Sequence, residues 1–436
     1  MTGSAATTDG YTPESGNDGY GVRSYDLEIG YRVATNRLDG VATITVVPTE
    51  ARSTLAFDLL RLRAAKVRVD GHKARHAQSA TKLTVTLPDV TVPGEPVEVV
   101  VEYSGSPAPR RTRWGTLGWE ELTDGALVAS QPNGAPTWFP CNDDPADKAT
   151  YRVQVTTEQP YAVVAHGELT DRHTRSGRTT WVYEQPEPTA SYLATVQIGR
   201  YELVPVVLAG VPGVFAGVPA MRSRIGRDFG EVADMMACFV ERFGPYPFAS
   251  YSVVVTDDDL EIPLEAQGLA IFGANHADGA GGSRRLIAHE LAHQWFGNSV
   301  GLTTWRDIWL NEGFACYAEW IWSEASGGPP AASLAARAHA RLLEAPQDIV
   351  VGDPGPDLMF DDRVYKRGAL AVQALRSAVG DDAFFDVMRA WTAEYRHHVA
   401  TSADFVALAT RVSGHPVGPL LRPWLDERAL PPLSSR

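Results

Sequence analysis

The sequence predicts a multidomain α+β protein in which an all-β domain is followed by a mainly helical one. Its length, 436 residues, exceeds what one ordinary hydrophobic core supports and points to two domains. Up to about Val204 the apolar residues recur at every second position, in short runs broken by Gly and Pro, which is the pattern of strands. From Asp228 onward they recur at three- and four-residue spacing, as on helices that bury one face. The predicted division is therefore a tail over 1–20, a β domain over 21–204 and a helical domain over 205–436.

Residues 1–20 are rich in Gly, Ser, Thr and Asp and are expected to be a flexible tail, disordered or loosely attached. Tyr25, Leu27, Ile29, Tyr31 and Val33 then share one strand face. Further alternating runs lie at 41–47, 55–62, 67–69 with an Asp70-Gly71 turn, 83–87 and 97–103, and again at 151–155, 163–166, 179–183 and 192–203. Between the two groups, residues 131–149 form a Pro-rich, Trp-containing loop too costly in ordering to be a mere linker. Its Gln131-Pro132 bond is a candidate for the cis form, since X-Pro bonds lose most of the trans preference. In 228–243 the stripe Val232, Met235, Met236, Phe239 and Val240 predicts a helix ended by Phe-Gly-Pro-Tyr-Pro-Phe, and 251–256 reads as a strand. A helix with Asn311 as its cap is expected over 310–320, and others over 329–344, 364–379, 381–396 and 402–412, the last running into 420–425 and a Pro-containing end.

A formal net charge of −14 argues against nucleic acid and anionic membrane surfaces as partners, because both require basic patches. The N-terminus has no basic start and no apolar segment, so no signal peptide is expected, and no apolar run approaches the ~18 residues of a membrane span. Cys141, Cys238 and Cys316 are odd in number and lack metal-type spacing; they read as reduced thiols of a cytoplasmic protein. A monomer is the expected state.

The stretch that carries chemistry is 286–319, LIAHELAHQWFGNSVGLTTWRDIWLNEGFACYAE. His289 and His293 stand one helical turn apart on one face and can offer two imidazole nitrogens to one metal ion. Glu290 projects roughly 100° round the same helix, beside the metal rather than on it. Glu312 follows eighteen residues after His293. Two His and one Glu leave a zinc position open for water, as in catalytic rather than structural sites. Glu319, two turns after Glu312 on the same face, is a candidate to orient a ligand from behind, and Asp307 is a weaker one.

HELAH followed by NEGFA resembles the M1 family of zinc aminopeptidases, gluzincins that include aminopeptidase N and leukotriene A4 hydrolase, and the resemblance covers most of the chain. It implies an N-terminal β-sheet domain, a thermolysin-like catalytic domain and one zinc per chain held by His289, His293 and Glu312. It further implies that 131–149 reaches toward the catalytic cleft with Gln131 contacting substrate. Glu265 falls on the Glu of the family's Gly-Ala-Met-Glu-Asn segment, which implies an anchor for the substrate's free amino group. Its neighbours here are Ile262, Pro263, Leu264 and Ala266, so that motif is degenerate. Tyr365, in VYKRGAL, matches the Tyr of the family's Tyr-Glu-Lys-Gly, with Lys366 in place of Glu. The chain stops where larger relatives continue into a helical C-terminal domain, so a short form is expected.

The expected activity is zinc-dependent removal of N-terminal residues from peptides. Glu290 is the general base, Tyr365 a donor to the developing oxyanion, Glu265 the anchor of the free amine and Gln131 a substrate contact. A thermolysin-like endopeptidase would use the same triad without an amine anchor. Epoxide hydrolysis would need a lipid pocket of which the sequence gives no sign. A noncatalytic peptide-binding module should have lost one of His289, Glu290, His293 or Tyr365, and none is lost.

Overall fold

Tyr25, Leu27, Ile29 and Tyr31 alternate along the strand Tyr20–Arg32 and are buried, while the residues between them are not, so period-two spacing becomes one packed face. In the computed structural model, which describes residues 9–433, this strand pairs parallel with Lys148–Glu158 and antiparallel with Arg37–Pro48. It lies inside an eight-stranded sheet of order 168–175, 178–190, 148–158, 20–32, 37–48, 97–105, 63–69 and 72–73. One outer strand, Glu168–Arg175, is exposed along its whole length, and the other, His72–Lys73, is two residues long. A five-stranded sheet (162–165, 196–199, 125–129, 115–122, 110–112) and a three-stranded one (54–58, 82–86, 75–78) complete the β-rich part. Their inward residues, with Trp119, Trp138, Phe139 and Trp181 among the largest, form one hydrophobic core. The Gln131-Pro132 bond is cis.

The chain forms two compact units, and they do not part at a single point. Residues up to Pro205 are joined in the first unit by Val214–Arg222 and Ala249–Asn275. Val211–Gly217 pairs with Ser252–Val255, which pairs with Leu269–Phe272, which pairs in turn with Leu264–Ala266, and Gln267 N ties these segments to the earlier chain by donating to Leu193 O at 3.3 Å. A division after residue 204 therefore leaves out the strand that carries Glu265.

Of the expected tail, residues 1–8 lie outside the described residues, and 9–19 differ from the expectation. Tyr11, Thr12, Ser15 and Asn17 are buried. The cause is Asp58, at the end of the strand Thr54–Asp58 and 2 % exposed, whose carboxylate needs donors. It accepts from Gly16 N at 3.0 Å, Asn17 Nδ2 at 3.1 Å and Asp143 N at 3.1 Å, and pairs with Lys82 Nζ at 2.6 Å. The small polar residues that read as disorder are here backbone and amide donors to a buried charge.

The second unit is helical after the hairpin tip 206–213: α1 (Arg222–Asp228, from Ser223), α2 (Val232–Phe243), α3 (Arg284–Ala292), α4 (Trp309–Ala325), α5 (Ala331–Glu344), α6 (Asp362–Val379), α7 (Asp381–Glu394), α8 (Ser402–Ser413) and α9 (Val417–Leu425). The stripe predicted for 228–243 is buried at Val232, Met235, Met236 and Phe239. Asp361 caps α6 by accepting from Arg363 N, and Thr401 with Asp404 makes a reciprocal capping box on α8. Trp309, Phe314, Trp391 and Phe405 meet edge-on or tilted in the helical core. None of the three cysteines is in a disulfide.

His166 is buried in the β unit, and its Nδ1 accepts from Thr195 N at 3.1 Å. Burial pushes the ring down to about 4 from an ordinary 6.5. The folded value lies below the unfolded one, so this stability is complete above about pH 6.5 and is lost as the pH falls toward 4, by at most ~3 kcal/mol. Asp143 and Asp147, pushed up by burial to about 8 and about 7, act in the opposite sense. The difference between the parent and His166→Asn in urea midpoint, followed from pH 7.5 to 4, isolates the ring; the parent should lose more stability on acidification than the variant does.

Candidate metal centre

Helix α3 buries Ile287, Ala288, Leu291 and Ala292, which draws His289 and Glu290 inward with them; both are buried. The helix ends at Ala292, but His293 keeps helical angles as its cap (φ −56°, ψ −24°), so the one-turn spacing survives. The two rings lie with centroids 4.7 Å apart. Glu312 comes from α4, and its Oε2 is 3.3 Å from His289 Nε2 and 3.4 Å from His293 Nε2. These ligand atoms all lie within 4.8 Å of one another.

The opposite ring nitrogens decide the tautomers. His289 Nδ1 donates to Glu319 Oε1 at 2.9 Å and His293 Nδ1 donates to Phe296 O at 3.0 Å, so each Nε2 is the nitrogen left to bind a metal. The carbonyl of Phe296 reaches His293 because the chain turns sharply at Gly297, whose φ is +116° and where a Cβ would stand 3.1 Å from the Asn311 amide and 3.4 Å from His293 Nδ1. Arg285, four residues before His289, donates to the same Glu319 oxygen at 2.8 Å. Burial alone would lower the His289 ring; the Glu312 and Glu319 carboxylates outweigh it and raise the ring to about 9. Burial alone would likewise raise Glu312, and the facing imidazoles hold it below the ordinary carboxylate range instead. A cation is thus favoured at the point where the three groups converge. Two imidazole nitrogens and one carboxylate oxygen, each backed from behind or buried, fit zinc.

Tyr365, near the start of α6, stands half-buried with its ring 6.1 Å from that of His289 and 13° from parallel. Asp307 does not join this group. Its carboxylate accepts from the Ser402 amide at 3.3 Å and from the Ser402 hydroxyl, which in turn accepts from Trp309 Nε1 at 2.8 Å, so it ties the start of α8 to α4. Nor does Asn311 cap α4: the helix begins two residues earlier at Trp309, behind the turn Trp305–Asp307, and Asn311 lies against Gly297. In the first unit, Glu265 sits on the short strand Leu264–Ala266 and accepts from Gln131 Nε2 at 2.6 Å, which joins two predicted residues 134 positions apart. Glu261 is exposed.

Sequence reasoning missed Arg285, whose i, i+4 relation to His289 was a usable signal, and a contact with no sequence signal at all. Where α4 crosses α6, Gly313 faces Gly368: a Cβ on Gly313 would lie 2.9 Å from Gly368 Cα and C, and one on Gly368 would lie 2.9 Å from Gly313 Cα.

Fold and site together define a zinc metallopeptidase of the kind whose metal helix carries two His and whose following helix carries the third ligand. The sequence matches the Peptidase M1 N-terminal domain over residues 22–193 and the Peptidase family M1 domain over residues 228–424, and the chain belongs to peptidase family M1. The crystal structure of an M1 zinc metallopeptidase from Deinococcus radiodurans superposes with a TM-score of 0.90 at 32 % identity, over 98 % of each chain. Aminopeptidase M1-A of rice is 29 % identical over 70 % of this chain and 37 % of its own length, and a probable aminopeptidase 2 of Sulfurisphaera tokodaii is 27 % identical over 67 % of this chain and 40 % of its own. The chain thus spans about half or less of these curated relatives. Native yeast LTA4 hydrolase shares the fold, with a TM-score of 0.82 at 19 % identity.

Gly→Ala inside a helix ordinarily stabilises by up to ~1 kcal/mol. Gly313→Ala should do the reverse, at a cost of ~1–3 kcal/mol from overpacking, because the atoms it meets are backbone. The sign of the change in denaturant midpoint checks it.

Proposed function

We propose that this chain is a zinc-dependent aminopeptidase that removes N-terminal residues from peptides. The observation that carries the reading is the buried convergence of His289, His293 and Glu312 with both Nε2 atoms turned to the carboxylate, and Glu290 on the same helix. Support comes also from the neighbour in Deinococcus radiodurans, a variant of which was crystallised with a Tyr-Ser-Ala substrate, and from a two-domain M1 enzyme variant bound to L-tryptophan. No helix among the described residues is long and apolar enough to cross a membrane. The three unpaired cysteines support a reducing, cytoplasmic setting.

In this reading His289, His293 and Glu312 hold the ion, and Glu319 keeps the proton of His289 on Nδ1. Zinc, when bound, supplies a Lewis acid for the scissile carbonyl and for water. Glu290 takes a proton from the attacking water and passes it to the leaving amine as the C–N bond breaks. The Tyr365 hydroxyl donates to the carbonyl oxygen as that oxygen gains charge. Glu265, held by Gln131, accepts from the α-ammonium of the substrate.

Glu290→Gln should keep zinc and lose at least ~10²-fold in kcat, since it removes a base and not a ligand. Metal analysis beside steady-state kinetics checks both halves, and turnover near the parent rate would remove Glu290 from the role. Tyr365→Phe should leave KM in place and lower kcat by roughly 10² to 10³, the range for one lost oxyanion donor.

One peptide compared in free and N-acetylated form tests the amine anchor. Glu265 is half-buried, and an acetylated terminus would cover its carboxylate without supplying a cation, at a cost of ~1–3 kcal/mol, roughly ten- to a hundredfold in affinity. The parent should therefore favour the free form strongly, and Glu265→Ala should shrink the preference without changing zinc content. Equal cleavage of both forms by the parent would make it an endopeptidase.

A further inference from the structure

Arg367 is buried on α6, and its guanidinium is spent on backbone carbonyls. Nε donates to Trp424 O at 2.7 Å and Nη1 to Arg428 O at 2.7 Å, while Nη2 donates to Pro423 O at 2.8 Å, to Ala429 O at 3.1 Å and to Glu427 O. Burial lowers the group to about 10, so it remains a cation at neutral pH.

Those acceptors are the end of α9 and the turn after it. A helix leaves its last four carbonyls without internal donors and carries partial negative charge there. In α9 all four are answered: Arg422 O by Asp426 N at 2.9 Å, Pro423 O and Trp424 O by Arg367, and Leu425 O by Gly352 N at 2.8 Å. The segment beyond is pinned as well, Leu430 N donating to Gln347 Oε1 at 2.9 Å and His339 Nε2 to Pro431 O at 2.8 Å.

Arg367 lies two residues after Tyr365, roughly 200° round the helix, so the two side chains leave α6 on nearly opposite sides. Next to it, Gly368 meets Gly313, the neighbour of Glu312, with no side chain between the backbones. Helix α6 is thus held by the backbone contact with α4 at Gly368 and, about 100° round from it, by the carbonyls of residues 423–429 that Arg367 grips. We propose that Arg367 is a positioning residue for peptide hydrolysis: by holding the end of α9 and residues 427–429 to α6, it fixes the height and rotation of α6 and with them the placement of the Tyr365 hydroxyl. This rests on the reading of Tyr365 as oxyanion donor. It makes residues 423–429 a working part of the catalytic unit.

The test is a double-mutant cycle measured on a free-amine aminoacyl substrate with zinc content determined for every variant. Arg367→Met should lower kcat by roughly 10- to 100-fold, the scale of an ångström-sized misplacement, with KM and zinc near the parent values. Arg367→Lys should fall between, because an ammonium keeps the charge without the planar fork. In the Tyr365→Phe background the same Arg367 substitutions should cost little more, since the group they misplace is gone. A parent-like kcat in Arg367→Met, or an equal loss in both backgrounds, overturns the inference. Should Arg367→Met fail to fold, Arg367→Lys carries the same comparison. A parent-like kcat in Tyr365→Phe alone would overturn the role of Tyr365 and this inference with it, and the single variant tells that failure apart.

Discussion

Helices α4 and α6 cross with bare backbone at the point of contact, and much of the catalytic unit takes its position from that crossing. Gly313 is the residue after Glu312 and Gly368 is three residues after Tyr365, so the separation of the metal-facing carboxylate from the tyrosine is set by two Cα atoms rather than by side chains. Side chains can change rotamer, whereas two helix backbones in contact have no such freedom. The same closeness lets Lys366 Nζ reach Cys316 Sγ at 3.2 Å, a turn beyond Glu312. Behind His289, Glu319 takes donors from Arg285 and from the ring, and its carboxylate is held below its ordinary range although burial alone would raise it.

Tautomer control is distributed unevenly over the two imidazoles. His289 is backed by a carboxylate and therefore by charge, and His293 by the carbonyl of Phe296 and therefore by the shape of a turn. The first arrangement adds a carboxylate's charge behind the ring; the second depends on Gly297 holding a backbone angle that other residues rarely adopt.

What the sequence revealed follows from the range of the interactions concerned. His289, Glu290 and His293 are legible because the helix itself converts their spacing into geometry, and the strand faces are legible because alternation does the same. Glu312 and Glu319 are read by the same periodicity on α4. Gln131 and Glu265 are each legible only through family resemblance, and their contact is not legible at all, since no local rule brings a loop residue to a strand 134 positions later. Gly313 with Gly368 and Arg367 with residues 423–429 are contacts between helices, for which neither partner leaves a mark in its own neighbourhood. Residues 9–19 were misread for a chemical reason: a composition that signals disorder also supplies small donors, and the buried carboxylate of Asp58 turned them into structure. Asp307 was misplaced because it is close to Glu312 in sequence but belongs to a separate turn.

The large β-sheet ends in the strand Glu168–Arg175, with Glu168, Asp171, Arg172, His173 and Arg175 on a ribbon exposed throughout. A free strand edge is a template: its unpaired amides and carbonyls invite another chain to extend the sheet. Here an incoming strand would have to lay its own side chains beside closely spaced charges of both signs and strip their water, and at the far side His72–Lys73 offers only two residues to pair with. A sheet eight strands wide therefore presents, at both edges, little that another strand could pair with cheaply. Charge and shortness at sheet edges are the common means by which folded chains make such templates costly to extend.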